Sequence, residues 1–291
     1  MKRFILHRRK QNIQGLAVWL LILGVLLCAC SCSGGKSVTP VLRFCFLDVG
    51  QGDCTLLRTA EGDVLIDAGT EASQDQLCAR LRAMGVTHLA LAIFTHLDED
   101  HIGGADGILR EFSVDRVWYN GAKAHSDSTD AFYHALEASG ASLQAVRAGE
   151  IFDIGGVRLT VLAPFSNLVE EGNEGSLVVK VNCGQISALF TGDIGKAAEE
   201  TLLSAYGKAQ LSCQLYKAGH HGSYTSGTEE FLAAVAPQYA VISCGRGNAY
   251  GHPHGEVLER LEEIGATVYR TDLLGDIFFV TDGEELQYED R

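Results

Sequence analysis

Residues 95–104, with the sequence THLDEDHIGG, carry a dense group of side chains that can bind metal ions. Four potential ligands fall within six residues: His96, Asp98, Asp100 and His101. Imidazole and carboxylate ligands together suit Zn²⁺ or Mn²⁺. The spacing indicates that one loop presents His96 and Asp98 to one ion, and Asp100 and His101 to a neighbouring ion.

The place of this loop in the chain supports a metal site. It directly follows residues 89–94 (LALAIF), a continuous apolar run typical of a strand covered on both faces. Loops at the ends of such strands are where α/β folds usually place their ligand sites. The alternative is an acidic surface turn with two incidental histidines. The apolar strand before the loop and the glycine pair after it make that alternative the weaker interpretation.

Three further segments have the same form, a strand-like run followed by a polar loop. They are residues 188–193 with Asp193, residues 215–223 with His220 and His221, and residues 241–254 with His252 and His254. Taken singly, Asp193 could be only a helix cap and His254 only a surface residue. Taken together, the segments supply a carboxylate able to bridge two ions and enough imidazoles to complete both ligand shells.

The elements that must position these loops alternate along the chain. Short strands are expected at residues 41–49, 54–58, 63–67, 89–94, 114–119, 157–162, 177–183, 186–190, 211–217, 239–243 and 277–281. Helices are expected at residues 74–84, 102–112, 129–139, 197–206, 228–235 and 256–264. Many strands with interspersed helices predict sheets covered by helices, in one α/β or α+β layered domain over residues 41–291.

The first 40 residues have a different character. Residues 1–14 carry five Lys and Arg and no acid, and a 14-residue apolar run follows from Leu16 to Ala29. That run is short for a membrane span, which needs about 20 apolar residues, but it suits an export signal. Its end, Leu27-Cys28-Ala29-Cys30, resembles a bacterial lipobox. We therefore expect a signal peptide over residues 1–29, lipidation of Cys30 and a tether over residues 30–40.

The alternative for this segment is an uncleaved, slightly short membrane anchor. Under both interpretations the rest of the chain lies outside the cytoplasm, because the basic flank stays inside. The expected location is the outer face of the cytoplasmic membrane, or the medium if the protein is secreted. Cys45 and Cys54 would face each other if residues 48–53 form a symmetric hairpin loop, which is compatible with a disulfide bond between them.

Composition limits the classes of function. The chain has 291 residues, of which 46% are hydrophobic and 21% charged, so it is neither disordered nor fibrous. Residues 30–291 carry 18 Lys and Arg against 37 Asp and Glu, a net charge of −19. Bulk electrostatics therefore exclude a general binder of phosphate backbones. The basic residues that a nucleic-acid groove would need are scattered, namely Lys123, Arg147, Lys180, Lys196, Lys217 and Arg246.

A set of ordered motifs resembles the metallo-β-lactamase superfamily, and more closely its ComEC/Rec2-like branch, the hydrolase-like domain of the competence DNA-uptake channel. The motifs are FLDVGQGDC, VLIDAG, THLDEDHIGG, NEGSLVVKV, FTGD, KAGHHGSYTS and GNAYGHPH. The resemblance covers roughly residues 41–280. It implies an αββα sandwich with a two-metal site at the sheet edges. Since no later apolar run is long enough to cross a membrane, we expect a stand-alone, exported relative of that domain.

Two departures from the superfamily pattern refine the assignment. The common metal motif is His-x-His-x-Asp-His, and in this chain Asp98 occupies the position of the second histidine. Residues 173–176 offer no histidine where the usual third motif falls. Both departures are shared by the ComEC-like branch and by a choline-phosphate esterase branch, and they count against a true β-lactamase.

The resulting hypothesis is a binuclear metal-dependent hydrolase of phosphodiester or related phosphate-ester bonds, with DNA among the candidate substrates. Asp193 would bridge two Zn or Mn ions, and the metal ligands would be His96, Asp98, Asp100, His101, Asp193, His221 and His252. The candidate catalytic residues are His220, as proton donor to the leaving oxygen, and Asp100. His220 and His221 could exchange roles. Gln51 and Asp53 either line the site or, for Asp53, form a turn.

Two other classes of function stay open at this stage. One is a surface protein that binds metal without turnover, although the complete ligand set argues against it. The other is a different superfamily hydrolase, such as a lactonase or a choline-phosphate esterase acting on wall polymers. The expected partners are single-stranded DNA or a wall polymer as substrate, and the membrane through the N-terminal lipid anchor. No protein partner is implied.

Overall fold

The computed structural model describes residues 41–166 and 172–290 of the chain. The expected signal peptide and tether, residues 1–40, lie outside the described residues. None of the helices in the two described ranges combines the length and the hydropathy that a bilayer span requires.

The described residues form strands and helices in close alternation. The strands are β1 Leu42–Phe46, β2 Thr55–Thr59, β3 Asp63–Ile66, β4 His88–Phe94, β5 Ser113–Val114, β6 Arg116–Tyr119, β7 Ser142–Ala145, β8 Ile151–Ile154, β9 Val157–Ala163, β10 Val178–Cys183, β11 Ile186–Phe190, β12 Leu215–Lys217, β13 Tyr239–Ile242, β14 Thr267–Arg270, β15 Ile277–Thr281 and β16 Leu286–Glu289. The helices are α1 Gln74–Ala83, α2 Glu99–Ile102, α3 Ala105–Glu111, α4 Asp127–Ser139, α5 Lys196–Ala205, α6 Lys208–Leu211, α7 Glu229–Val235, α8 Gly255–Glu263 and α9 Thr271–Leu274.

The strands make two sheets. The first has the order β16-β15-β1-β2-β3-β4-β6-β7, with β5 beside β4, and the second has the order β14-β13-β12-β11-β10-β9-β8. In the first sheet β3 and β4 run parallel. In the second sheet β11, β12 and β13 run parallel. Because parallel strands share one carboxyl edge, the loops after these strands collect at one edge of each sheet.

The two sheets pack face to face, and helices cover their outer faces. Side chains of both sheets share one core, in which the rings of Phe46 and Phe190 lie 6.0 Å apart. A second core joins the first sheet to α1, α3 and α4, and a third joins the other sheet to α5, α7 and α8. This is the predicted αββα sandwich. Truncation of the fully buried Phe46 to alanine should cost about 3–5 kcal/mol of folding free energy.

Strand β4 shows why its sequence is apolar throughout. Leu91 and Ile93 face the core between the sheets, whereas Ala92 and Phe94 face the helices.

The start of helix α4 is set by capping side chains. Helix α4 begins at a capping box made by Ser126 and Thr129. It therefore starts earlier than the predicted residue 129.

Three expectations are wrong in detail. The helix predicted over residues 102–112 is confined to α3 and separated from α2, because backbone groups at its start bond outside it: the N–H of Gly104 donates to the carbonyl oxygen of Gly69, and the carbonyl oxygen of His101 accepts from the N–H of Ala68. Of the strand predicted over residues 211–217, only β12 at its end is a strand, and residue 211 is the last residue of α6. Cys45 lies opposite Leu56 in the β1–β2 pairing, not opposite Cys54, and no described cysteine forms a disulfide bond.

Candidate metal centre

Four side chains from three loops converge at the carboxyl edge of the sheets. His96 and His101 follow β4, Asp193 follows β11 and His221 follows β12. All four are buried. The imidazole rings of His96 and His101 lie 4.1 Å apart, and those of His101 and His221 lie 5.2 Å apart. Parallel strand order within each sheet, together with the packing of the two sheets, thus brings together residues that are far apart in the sequence.

Asp193 lies between the imidazoles of two different loops. Its Oδ1 is 3.2 Å from Nε2 of His101, and its Oδ2 is 3.4 Å from Nε2 of His221. Asp100 adds a second carboxylate, with Oδ2 3.0 Å from Nε2 of His221. One carboxylate with each oxygen turned to a different imidazole is the arrangement expected of a bridging ligand.

His96 and Asp98 form the other side of this cluster. Nε2 of His96 lies 3.7 Å from Oδ2 of Asp98, whose side chain is 49% exposed. The oxygen of Asp98 is therefore open to solvent while the imidazole is fully buried. The sequence analysis assigned this pair to one of two expected ions.

The donor atoms of the cluster fit a cation. Nε2 of His96, His101 and His221 and Oδ1 of Asp193 are buried, and although ion-pair contacts join them to their neighbours, their geometry makes no hydrogen bond. Buried polar atoms without partners cost about 1–3 kcal/mol each, so native proteins rarely retain them without a ligand. Nitrogen and carboxylate oxygen donors in this number suit Zn²⁺ or Mn²⁺. The described residues therefore contain a possible divalent metal site.

The pKa values of the clustered side chains are set by the charged groups packed beside them. Burial disfavours protonation of His101, but the carboxylates of Asp193 and Asp67 outweigh burial and raise its pKa well above the usual 6.5. Burial would raise the pKa of Asp193, yet His221 and His101 hold that pKa well below its usual range. The pKa of His221 is raised well above 6.5 in the same way, since Asp193 and Asp53 outweigh its burial, so without metal His101 and His221 keep protons that balance the carboxylates. A divalent cation would replace those protons, because only neutral imidazole coordinates metal.

Asp67, which the sequence interpretation did not single out, orients His101. Its Oδ2 accepts a hydrogen bond from Nδ1 of His101 at 2.9 Å, and its Oδ1 accepts one from the backbone N–H of Thr95 at 2.8 Å. The residue has φ of 58°, in the left-handed region that aspartate tolerates better than most residues. The sequence feature that could have identified Asp67 as a site residue is its position at the end of the predicted strand, in the motif VLIDAG.

Asp53 and Lys217 form a buried ion pair behind His221. Nζ of Lys217 lies 2.8 Å from Oδ2 of Asp53, and Oδ1 of Asp53 lies 3.2 Å from Nδ1 of His221. Asp53 also approaches the ligand atoms of His101, Asp193 and His221, all within 4.8 Å of one another. Its oxygens face Lys217 and the Nδ1 side of His221, so its geometry favours orientation of that ring over direct ligation. Lys217 is 3% exposed and cannot belong to a surface groove.

An open cavity of about 150 Å³ lies over the cluster. Its walls are Gln51, Asp98, Asp100, Asn173, Asp193, His220, His221, Tyr250 and His252. His252 is held at the wall by Gln51, whose Nε2 lies 3.4 Å from its Nδ1. Burial and the neighbouring imidazoles lower the pKa of His252 to about 4, so its ring is neutral and able to bind metal at neutral pH. Tyr250 was not predicted as a site residue.

His220 lies at the mouth of the cavity, not in the buried cluster. Its Nδ1 is 3.0 Å from Oγ1 of Thr225, and its Nε2 is 3.8 Å from Oδ2 of Asp193. The amide nitrogen of Asn173, from the segment without the usual third histidine, lies 3.3 Å from Nε2 of His220. His221, in contrast, is buried, with Nδ1 3.0 Å from the carbonyl oxygen of Ser243. The adjacent histidines thus have different surroundings.

The structure brings every predicted site residue to this one place. His96, Asp100, His101, Asp193 and His221 lie in or against the buried cluster, whereas Asp98, His220 and His252 line the cavity beside it. Their individual roles stay predictions. The sequence interpretation missed Asp67 and Tyr250, and treated Lys217 as one of several scattered basic residues.

Comparisons with known proteins agree with this architecture. Residues 47–246 match the model of the metallo-beta-lactamase superfamily, and the chain belongs to that family. Its members are generally metal-dependent hydrolases.

Two curated relatives are of the ComEC/Rec2 type. The chain is 31% identical over 249 residues to ComE operon protein 3 of Bacillus subtilis (strain 168), covering 79% of this chain and 32% of the relative. It is 35% identical over 233 residues to Competence protein ComA of Neisseria gonorrhoeae, covering 80% of this chain and 31% of the relative. The chain thus spans about a third of the length of these relatives.

A solved structure shows the same fold. The metallo-beta-lactamase fold protein YhfI from Bacillus subtilis aligns with a TM-score of 0.53 and 10% identity, over 79% of this chain and 95% of that one. At that identity the similarity concerns the fold alone.

Proposed function

We propose that this chain is a binuclear metal-dependent hydrolase of phosphodiester bonds. The observation that carries the proposal is Asp193, whose two oxygens face the imidazoles of His101 and His221 beneath an open cavity. A carboxylate in that position would be shared between two ions, and such a pair would supply the Lewis acidity that hydrolytic two-metal sites use.

Most of the site residues would be metal ligands, and one would be a proton donor. His96 and Asp98 would hold one ion, Asp100 and His101 the other, with His221 and His252 completing the shells. Asp67 would fix the orientation of His101, and the carbonyl oxygen of Ser243, with Asp53 beside it, would fix that of His221, in each case through Nδ1 of the ring. Ions bound there would supply Lewis-acid polarisation of the phosphate and activation of water.

His220 would donate a proton to the leaving oxygen. It lies on the cavity wall, and the hydroxyl of Thr225 orients its ring. Burial lowers its pKa, while Asp193 opposes that change. A phosphate ester bound in the cavity adds negative charge beside the ring, which stabilises its protonated form. A larger fraction of His220 would thus carry the proton that it donates when substrate is bound.

The name of one relative, Competence protein ComA, favours a nucleic-acid substrate. The charge of this chain favours a second candidate, a small phosphate ester such as choline phosphate on a wall polymer. Lys217 is buried, and Lys180 is buried with Nζ donating to the carbonyl oxygens of Gln210 and Ser212. These two lysines are therefore unavailable for a basic groove.

A panel of substrates, with metal content measured on the same sample, tests the proposal. We expect bis(p-nitrophenyl) phosphate to be hydrolysed only with divalent metal, and His101→Ala to abolish that activity. His88→Ala is the matched control, since His88 lies at the start of β4 and pairs with Asp115 at 2.9 Å, outside the cluster. Hydrolysis of lactones or other carboxylic esters, with no phosphate ester cleaved, would contradict the proposed phosphodiester substrate. It would leave the fold assignment unchanged.

We also propose that the mature chain is lipid-anchored outside the cytoplasm. The support is the basic flank, the short apolar run and the lipobox-like end at Cys30. Mass spectrometry of the N-terminal peptide should find an acylated Cys30. An intact Met1 peptide on membrane-bound protein contradicts cleavage, and an unacylated terminus near Ser31 in the medium contradicts anchoring.

A further inference from the structure

Glu199 is a fully buried carboxylate that the proposed mechanism does not use. It lies on α5, and its neighbours do not include a cation among the groups that most affect its pKa. Burial raises the pKa of Glu199 above its usual value, and hydrogen bonds from Thr228 and Gly227 only partly oppose that change. A buried carboxylate without a cationic partner is unfavourable for folding. Folding stability alone therefore does not account for a charged side chain at this position.

Both oxygens of Glu199 hold the segment that follows the two adjacent histidines, residues 223–228. Its Oε1 accepts a hydrogen bond from the backbone N–H of Gly227 at 2.6 Å. Its Oε2 accepts from the backbone N–H and the hydroxyl of Thr228 at 2.9 and 2.7 Å. These hydrogen bonds fix the end of the 223–228 segment to α5, because the carboxylate itself is held in the protein interior.

The start of the same helix holds the middle of the 223–228 segment. The backbone N–H of Lys196 donates to the carbonyl oxygen of Thr225 at 3.1 Å. The hydroxyl of Ser226 donates to the carbonyl oxygen of Ile194 at 2.6 Å. Residues 194–199 therefore contact the segment at each position from 225 to 228.

Thr225 connects this segment to His220. Its Oγ1 lies 3.0 Å from Nδ1 of His220, and the same hydroxyl donates to Oγ of Ser223 at 3.0 Å. Because the hydroxyl proton is directed to Ser223, Oγ1 of Thr225 is an acceptor for a hydrogen on Nδ1 of His220. The orientation of this ring at the mouth of the cavity thus depends on where Thr225 lies.

We infer that Glu199 is a positioning residue for His220, acting through the 223–228 segment and the hydroxyl of Thr225. The inference rests on the proposed function, in which His220 donates a proton to the leaving oxygen. Glu199 is not among the residues that line the cavity, so it acts on the reaction only through His220. A displacement of about 1 Å in a reacting group can lower the rate about 100-fold. A shift of the segment should therefore slow proton donation without the loss of a metal ligand.

Glu199→Gln tests the inference, because an amide group would face backbone N–H groups where a carboxylate oxygen accepts. In the metal-loaded full chain, we expect kcat for a phosphodiester with an alkyl leaving group to fall about 10- to 100-fold. KM and metal content should not change. Hydrolysis of bis(p-nitrophenyl) phosphate should change little, since its leaving group departs without a proton. In the double variant with His220→Ala, kcat should be no lower than in His220→Ala alone, because both changes remove the same proton donation.

Two further variants test the connection between Glu199 and His220. Thr225→Val removes the hydroxyl that contacts His220 at an exposed position, and it should show the same dependence on the leaving group. Thr228→Asp retains an acceptor for the cap of α7 but places an acid against Glu199. It should displace the segment and show the same dependence, and it replaces Glu199→Gln should that variant not fold.

Nuclear magnetic resonance of the zinc-loaded chain gives a readout that does not require turnover. In mildly alkaline buffer, the ring nitrogen shifts of His220 should place the hydrogen on Nδ1 in the wild type. In Glu199→Gln they should show a mixture of tautomers. Glu200→Gln is the matched control, since Glu200 is the next residue of α5 and pairs with Lys196 at 3.8 Å on the exposed surface. It should change neither the kinetics nor the ring signals.

Three results would overturn the inference. They are equal slowing of both substrates by Glu199→Gln, an unchanged tautomer of His220 in that variant, and full additivity with His220→Ala. Failure of the proposed function would look different. In that case no phosphodiester is cleaved, or His220→Ala itself slows both substrates equally. The tautomer measurement would then still decide whether Glu199 positions the ring of His220.

Discussion

The carboxylate of Asp67 accepts a hydrogen bond from Nδ1 of His101 at 2.9 Å, while Nε2 of the same ring lies 3.2 Å from Asp193. A carboxylate on one side of an imidazole fixes the proton on that side. The nitrogen on the other side is then free to coordinate metal. His101 is thus a metal-binding candidate whose tautomer depends on a residue that does not itself reach the cavity.

Asp67→Asn should weaken metal binding without removing any ligand. The backbone of residue 67 is left-handed, which asparagine tolerates, and its Oδ1 can still accept from Thr95. The new amide would then face Nδ1 of His101 as a donor and favour the tautomer with the proton on Nε2. Chelator competition should show affinity reduced about 10- to 100-fold. Asp115→Asn, which alters the exposed His88–Asp115 pair, should have no such effect, and an equal loss there would contradict the mechanism.

Asp193→Ala should reduce metal occupancy at both positions. The wild type should contain about two ions of Zn or Mn per chain. Both should be affected by the substitution, because the carboxylate of Asp193 would contact both. Elemental analysis of the two proteins measures this directly. The variant should also melt at a lower temperature, since metal stabilises only the folded state. Loss of a single ion would show that Asp193 does not bridge.

The adjacent histidines should differ on substitution. His221→Ala should lose metal, because the ring is buried and its Nε2 lies 3.0 Å from Asp100 and 3.4 Å from Asp193. His220→Ala should retain metal and lower kcat by roughly 10²–10⁴ for substrates with poor leaving groups. For an activated aryl leaving group, which departs without a proton, the loss should be much smaller.

Elemental analysis and kinetics on the same preparations test this difference. His134→Ala, at an exposed position of α4, serves as the control for loss of a histidine. If His220→Ala loses metal and His221→Ala keeps it, the two roles are reversed.

His252 should make the metal-free protein sensitive to mild acid. Burial and the nearby imidazoles lower its pKa from 6.5 to about 4 in the folded chain. Between those pH values the unfolded chain takes up a proton at this residue and the folded chain does not, so folding stability falls as pH falls. Urea unfolding of the metal-free wild type and of His252→Asn should differ in this pH dependence by about 1–2 kcal/mol. Parallel curves for the two proteins would contradict the lowered pKa.

The site could be located from the sequence because its ligands follow apolar strands. His96, Asp193 and His221 each come directly after a run that forms a buried strand, and parallel order brings such loops together. Strand and helix positions were predictable for the same reason, except where tertiary contacts decided them. The break between α2 and α3 depends on backbone hydrogen bonds of residues 101 and 104 to residues 68 and 69, which periodicity does not encode.

The residues that orient the ligands could not be predicted in the same way. Asp67 and Lys217 lie in strand-end positions where a charged side chain is equally compatible with solvent, and only the folded chain shows that both are buried. Tyr250 belongs to a glycine-rich loop whose conformation is set by Asn248. Its place on the cavity wall depends on side-chain hydrogen bonds, not on a pattern of hydrophobic residues.

His220 and His221 both have left-handed backbone, with φ of 49° and 54°. For residues other than glycine this conformation costs roughly 1–2 kcal/mol each. Glycine at 220 would avoid that cost, and the ring that it removes is partly exposed, at 25% of its side-chain surface. Selection for heat resistance alone would therefore favour His220→Gly and discard the imidazole at the mouth of the cavity. A laboratory evolution experiment that screens only for thermostability would enrich folded but slow variants, so an activity screen must accompany it.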